Sequence, residues 1–183
     1  STSQRQALIT LIENKDKDKR LIKNWRPISL INVDAKIVSK VLATRLKKVL
    51  SNIVHCNQTA YVSGRYIGES IRLLNDVLEY TGKDDIRGIL CSADFEKAFD
   101  SIEHSFIFAT LESFGFGTQF IHWIKTIFNS PESSIMNNGH STGYFPLERG
   151  TRQGDPLPAY LFILCVEILF IQVRENEEIK GII

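Results

Sequence analysis

Residues 90–100 have the sequence LCSADFEKAFD, and the fold is predicted outward from this stretch. The apolar run from Ile89 to Ala93 leads directly into an acidic residue, Asp94. Such a run predicts a buried strand over residues 87–93 that ends at the edge of a sheet. Functional residues gather where a rigid strand gives way to an open loop, and a carboxylate there could hold a hard cation such as Mg²⁺. The alternative is that Asp94 only ends the strand or caps the next helix.

Two further stretches favour the functional interpretation. Residues 24–30 have the sequence NWRPISL, and residues 150–157 have the sequence GTRQGDPL. In this order around residues 90–100, they resemble motifs of the reverse transcriptases of non-LTR (LINE-type) retrotransposons, and residues 90–100 resemble motif A of that family. The resemblance extends from about Leu8 to Ile183. It implies the fingers and most of the palm of a right-hand polymerase.

Composition describes an ordinary globular chain. Its 183 residues are 43% hydrophobic and 23% charged, which is enough apolar material for a core. No apolar run is long enough to cross a bilayer, and the first residues do not show the pattern of a signal peptide. The three cysteines are too far apart for a zinc site or a disulfide framework. We expect Cys91 and Cys165 to be packed thiols in a reducing, intracellular compartment.

Charge is distributed unevenly along the chain. The net charge is only +1, yet residues 1–48 carry 12 Lys and Arg against 4 Asp and Glu. A basic region of this kind suits contact with a nucleic acid or a triphosphate, because phosphate charge dominates such binding. A solvated basic surface without a ligand is the alternative.

Apolar periodicity and turn residues predict the remaining elements. A basic β-hairpin is expected, with strands at residues 7–13 and 25–30 and a charged tip at residues 14–23. The other predicted elements are helices at residues 33–50, 67–80, 101–114, 118–128 and 157–173, a hairpin at residues 133–147, a turn at residues 150–158 and a strand beginning at residue 180. The prediction is an α+β fold in which helices pack on a small antiparallel sheet. The resemblance implies that residues 1–82 are fingers-like and residues 83–183 are a partial palm.

The resemblance assigns the catalytic metal to motif A. Nucleotidyl transfer uses two divalent ions held by two or more carboxylates. Asp94 is the implied catalytic carboxylate and metal ligand, the backbone carbonyl of Phe95 is the implied second ligand, and the ion is Mg²⁺ or Mn²⁺. Asp100 is expected to be a structural residue at the start of the following helix.

The resemblance also implies a deoxynucleotide site. Arg26 and, less directly, Lys15 correspond to fingers residues near the incoming dNTP. Phe99, five residues after Asp94, corresponds to the aromatic residue that packs under the sugar and excludes a 2′-hydroxyl. Gln153 corresponds to the residue near the nascent base pair. For Arg26 the alternative is an ion pair within the fingers, and for Phe99 it is ordinary core packing.

Contacts with an RNA template and a DNA primer are implied for three more residues. Gln58 and Arg65 lie in a segment that resembles the family's template-contacting loop. Gly154, in the turn at residues 150–158, would let the backbone approach the nucleic acid closely. The chain departs from the common pattern at Pro158, where Ser is usual, and this departure weakens the assignment of Gln153.

One motif of the family is missing. The family's motif C, an aromatic residue followed by Ala-Asp-Asp, does not occur in these 183 residues. We therefore expect a fragment of a reverse transcriptase domain that does not polymerise DNA by itself. The alternatives are a non-catalytic nucleic-acid-binding relic, a group II intron-type reverse transcriptase and, least favoured, a scaffold without a nucleic-acid role.

Overall fold

The computed structural model describes residues 2–181 as a mixed α and β fold. Within that range it has seven α-helices and five short strands. The helices are α1 (Thr2–Arg5), α2 (Val33–Ile53), α3 (Ile67–Lys83), α4 (Ala98–Ser101), α5 (His104–Ser113), α6 (Thr118–Ile127) and α7 (Pro158–Glu175). The strands are β1 (Gln6–Glu13), β2 (Trp25–Ile31), β3 (Glu132–Asn137), β4 (His140–Ser141) and β5 (Phe145–Pro146).

The basic hairpin is confirmed. Strands β1 and β2 pair antiparallel, with Ala7 opposite Ile31 and Glu13 opposite Trp25. At the tip, the indole N–H of Trp25 donates to the carbonyl of Lys19 at 2.9 Å. The lysines and the arginine of the tip are exposed to solvent. The hairpin therefore presents positive charge at its far end.

The sheet is mixed, so the prediction of an antiparallel sheet is wrong in one pairing. The strand order is β2-β1-β3-β4, with β5 also paired to β3. Strand β3 runs parallel to β1, with Ala7 opposite Ser133. A parallel pair needs a long crossover, and five helices separate these two strands in sequence. The hairpin after β3 is confirmed, because Asn138 and Gly139 both have positive φ, as a tight hairpin turn requires.

The hydrophobic core lies between helices. Helix α2 contributes Leu42, Leu46 and Leu50 to it, all at most 4% exposed. The rest of the cluster comes mainly from α5, α6 and α7, including Ile107, Leu111, Ile124, Leu161 and Leu164. Within residues 2–181, none of the helices combines the length and hydropathy that a bilayer crossing requires.

The predicted central strand is absent. Residues 86–95 have no regular secondary structure, and Ile89 and Leu90 are 98% and 64% exposed. A strand is stable only when neighbouring strands satisfy its backbone groups, and no strand within residues 2–181 pairs with this segment. Cys91 is consequently exposed, contrary to the prediction, whereas Cys165 is buried as expected. Burial raises the pKa of the Cys165 thiol to about 11.

Other boundaries differ in smaller ways. The helix predicted over residues 101–114 begins only at His104, as α5, because the chain is extended at Ile102 and Glu103; the short helix α4, which was not predicted, precedes this break. Helix α7 begins at Pro158. Proline has no N–H to donate, but the first N–H groups of a helix lack an intrahelical acceptor, so no hydrogen bond within the helix is lost. Of the strand predicted to begin at Lys180, residues 182–183 lie outside the described residues, and Lys180 and Gly181 are not in a strand.

Arg65 anchors the loop that follows α2. Its guanidinium donates to the carbonyls of His55 and Gln58 at 2.6 and 2.7 Å, and to those of Ser51 and Val54 at 3.1 and 3.3 Å. The last carbonyls of a helix lack intrahelical partners, and a planar guanidinium can satisfy several at once. The contact that the resemblance implied between Arg65 and nucleic acid therefore competes with a structural role.

Replacing Arg65 tests that structural role. We expect Arg65→Ala to lower the free energy of unfolding by about 1–3 kcal/mol, because several backbone carbonyls lose a charged donor. Arg65→Lys should restore only part of the loss, since a single ammonium cannot span four carbonyls. Urea unfolding of each variant measures the change.

The matched control is Arg72→Ala. Arg72 lies on α3 with an exposed side chain, 3.7 Å from Asp76. Its removal should change the unfolding free energy by less than about 0.5 kcal/mol. Equal effects of Arg65→Ala and Arg72→Ala would contradict the anchoring role.

Candidate nucleotide and template site

Two of the motifs are fastened together by backbone hydrogen bonds. The N–H of Thr151 donates to the carbonyl of Phe99 at 2.6 Å, and its hydroxyl donates to the same oxygen at 3.0 Å. The N–H of Gly150 donates to the carbonyl of Ile102 at 2.7 Å. We call the contact between residues 99–104 and residues 149–153 the clasp. It joins the end of the 90–100 stretch to the GTRQGDPL turn.

Glycine is required at the centre of the clasp. Gly150 has φ +79°, and a Cβ placed there would lie 2.7 Å from the carbonyl oxygen of Asp100. Both the backbone conformation and the close approach exclude a side chain. His104 adds a further contact, because its Nε2 lies 2.9 Å from the carbonyl oxygen of Gly150.

The NWRPISL stretch joins the same turn. The N–H of Ser29 on β2 donates to the carbonyl of Gln153 at 2.9 Å. A Cβ on Gly154, which has φ +102°, would lie 3.1 Å from the carbonyl oxygen of Ser29. All three sequence motifs therefore meet at residues 149–154, although more than 120 positions separate Ser29 from Gln153.

Side chains of the turn attach it to the N-terminal region. Asp155 accepts a hydrogen bond from the N–H of Leu157 at 3.0 Å and another from the hydroxyl of buried Ser39 on α2. Arg152 donates to the backbone carbonyls of Gln4 and Arg5. Burial lowers the pKa of Arg152, and the charge of Asp155 partly opposes that shift.

A cavity of about 530 Å³ opens beside the turn. Three of the residues assigned by resemblance, Phe99, Gln153 and Gly154, line it. Tyr61 and Lys40 line the same space. The ring of Phe99 is half-buried and packs on Phe162, with ring centroids 5.2 Å apart. The arrangement offers an aromatic floor, an amide and an ammonium, which together suit a nucleotide.

Other assigned residues lie outside this cavity. Arg26 is exposed on β2, where it lies on the same face as Ile28 and about 7 Å from that residue along the strand. Lys15 is exposed in the hairpin tip. Gln58 donates from its side chain to the carbonyl of Ala60 at 3.3 Å, and Arg65 faces the backbone carbonyls described above. The structure therefore brings only part of the assigned set together.

The implied metal ligands do not form a complete site. Asp94 is exposed in the irregular segment, and the side chain of Phe95 packs against Phe162 with ring centroids 5.7 Å apart. Across residues 2–181, no group of three His, Cys, Asp or Glu side chains is placed to hold a metal ion. These residues alone do not fit a two-metal centre.

Sequence reasoning gave no site role to three residues that the structure places here. Tyr61 has φ +58°, a conformation uncommon for a non-glycine residue. Lys40 is one of several lysines on α2, and the sequence analysis expects Asp100 to be a structural residue. An aromatic residue shortly before Gly64 and Arg65 was the signal by which Tyr61 could have been found. Nothing in the sequence distinguishes Lys40 from its neighbours.

Comparison with known proteins agrees with the motifs. Residues 12–182 match the family model described as "Reverse transcriptase (RNA-dependent DNA polymerase)". The chain is 38% identical over 94% of its length to the "Transposon TX1 uncharacterized 149 kDa protein" of Xenopus laevis. It is 28% identical over 80% of its length to the "Retrovirus-related Pol polyprotein from type-2 retrotransposable element R2DM" of Drosophila melanogaster. It is 27% identical over 97% of its length to the "Retrovirus-related Pol polyprotein from type-1 retrotransposable element R2" of Popillia japonica.

The matched region is a small part of each relative. The chain spans 13%, 14% and 25% of these three proteins, respectively. The family match nevertheless extends over almost all of the chain, and the resemblance to non-LTR retrotransposon proteins is confirmed. The chain belongs to the reverse transcriptase family.

Proposed function

We propose that this chain supplies the nucleotide- and template-contacting part of an RNA-directed DNA polymerase of a non-LTR retrotransposon. The observation that carries the proposal is the meeting of the three motifs at residues 149–154, beside a cavity lined by Phe99 and Gln153. In this proposal, residues 1–82 act as fingers and residues 83–183 as part of a palm. The substrates are dNTPs, a DNA primer and an RNA template.

In this proposal, other carboxylates of the polymerase join Asp94 to complete the catalytic centre. Reverse transcriptases generally use divalent metal ions, here Mg²⁺ or Mn²⁺, and Asp94 would be one of the carboxylates that hold them. The exposed apolar segment at residues 86–95 supports packing of this segment against a further part of the polymerase, since Ile89 and Leu90 are exposed to solvent. An apolar groove of about 400 Å³, lined by Phe95, Phe106 and Phe162 among others, lies beside it. We infer that the 183-residue chain does not polymerise DNA by itself.

A non-catalytic nucleic-acid-binding role is the second candidate. The absence of a metal-binding cluster within residues 2–181 favours it, as does the basic hairpin tip. The relatives from Drosophila melanogaster and Popillia japonica are retrotransposon proteins, and this favours a retrotransposon reverse transcriptase over a group II intron-type reverse transcriptase. Primer extension separates the two candidates, because only a polymerase becomes active when the chain continues through an aromatic-Ala-Asp-Asp motif.

Asp94→Ala tests the polymerase assignment. In a polypeptide that extends through that motif, we expect the variant to lose primer extension on an RNA template, because a metal ligand is removed. RNA binding should persist, since Asp94 contributes no positive charge. Extension assays and filter binding measure the two properties.

Asp84→Ala is the matched control for this experiment. Asp84 is an exposed acid in the turn after α3, and its loss should leave extension unchanged. If Asp94→Ala extends primers as well as the unmodified polypeptide does, Asp94 is not the catalytic carboxylate.

Phe99→Ala tests whether Phe99 is the sugar gate, the aromatic residue that excludes a 2′-hydroxyl. Removing the ring from the cavity floor should admit ribonucleotides, so the preference for dNTPs over rNTPs should fall by about tenfold or more, as expected for a lost steric contact worth about 1.4 kcal/mol. Competition between dNTP and rNTP incorporation in the extended polypeptide measures the preference.

Phe95→Ala separates selection from packing. Phe95 also contacts Phe162 but does not line the cavity that holds Phe99. It should therefore keep the preference for deoxynucleotides. The gate assignment fails if Phe99→Ala leaves the preference unchanged or if both variants alter it equally.

A further inference from the structure

The side chain of Asp100 accepts a hydrogen bond from the side chain of Gln153. The side-chain N–H₂ of Gln153 lies 3.2 and 3.4 Å from the two carboxylate oxygens of Asp100. Both side chains are half-buried, so the contact is partly shielded from water. A hydrogen bond to an ionised acceptor is stronger than one between neutral groups. The pair is therefore suited to fixing a side-chain orientation.

The clasp holds the backbone on both sides of this pair. Thr151 donates hydrogen bonds to the carbonyl of Phe99, and Gly150 donates one to the carbonyl of Ile102, so the backbone is held on both sides of Asp100. The backbone of Gln153 is held from the other direction by the N–H of Ser29. With both main chains fixed, the side-chain torsions are the remaining freedom, and the hydrogen bond removes much of it.

The chemistry of the two groups sets which way the amide faces. An ionised carboxylate only accepts hydrogen bonds, so the N–H₂ of Gln153 must be directed towards Asp100. The carbonyl oxygen of the amide is then directed away from Asp100. An amide without this partner could present either its donor or its acceptor to a ligand.

The two residues also differ in the space that they line. Gln153 borders both the cavity of about 530 Å³ and a neighbouring one of about 420 Å³. Phe99 lines the first cavity, whereas Asp100 lines the second. Asp100 and Phe99 thus border Gln153 from two different cavities.

We propose that Asp100 is a positioning residue, which orients the Gln153 amide so that its oxygen accepts a hydrogen bond from the incoming nucleotide or the nascent base pair. This inference rests on the proposed polymerase function. It assigns Asp100 a role beyond the start of α4, and it predicts that Asp100 acts only through Gln153.

A double-mutant cycle tests this dependence. In the polypeptide that extends through the aromatic-Ala-Asp-Asp motif, Asp100→Ala should raise KM for dNTP by about tenfold, the equivalent of one lost hydrogen bond, and change kcat by less than about twofold. In a Gln153→Ala background, Asp100→Ala should have no further effect. Asp100→Asn keeps an acceptor oxygen and should recover most of the affinity, while Asp84→Ala should change neither constant.

A second readout uses the 183-residue chain itself. The ¹⁵N side-chain resonances of Gln153 should move when Asp100 is replaced by Ala and should stay in place in Asp84→Ala. Resonances that do not respond to Asp100→Ala would overturn the proposed contact directly.

The outcomes separate this inference from the function on which it rests. Equal losses from Asp100→Ala with and without Gln153 would overturn the positioning role while leaving the polymerase assignment intact. If the extended polypeptide fails to extend primers although the Gln153 resonances respond to Asp100, the polymerase function fails and the positioning role fails with it.

Discussion

The carbonyl oxygen of Phe99 receives two hydrogen bonds from Thr151, and the arrangement of the site depends on them. They hold α4 against a turn that lies about 50 positions further along the chain. Gly150 makes the approach possible because its missing side chain leaves room for the backbone of Asp100. From this contact the turn reaches β2 through Ser29, so the N-terminal hairpin and residues 99–104 share one anchoring point.

The clasp also shapes the cavity of about 530 Å³ that Phe99 and Gln153 line. Phe99 and Gln153 are held by backbone contacts and by packing on α7, none of which involves Asp94. The residues that line this cavity are thus fixed independently of the segment that contains Asp94. The segment at residues 86–95 is the incomplete part, since its apolar side chains are exposed and no described strand pairs with it.

Local patterns predicted most of the elements, and the failures have a common physical cause. Helices α2, α3, α6 and α7 and both hairpins follow from apolar periodicity and turn residues, which act over a few positions. The strand at residues 87–93 has the right composition, but a strand also needs a partner that composition cannot reveal. The parallel pairing of β1 with β3 depends likewise on residues distant in sequence. Phe99 and Gln153, both named by the resemblance, line one cavity, while the contact of Asp100 with Gln153 is visible only in the structure.

Amide hydrogen exchange at the clasp tests the central claim most directly. The N–H groups of Gly150 and Thr151 donate to Ile102 and Phe99 at 2.7 and 2.6 Å, so both should exchange much more slowly than the amides of residues 87–93 in the same chain. If Thr151 exchanges as fast as the fully exposed Ile89, the motifs are not joined in the way described, and the site built on them does not form.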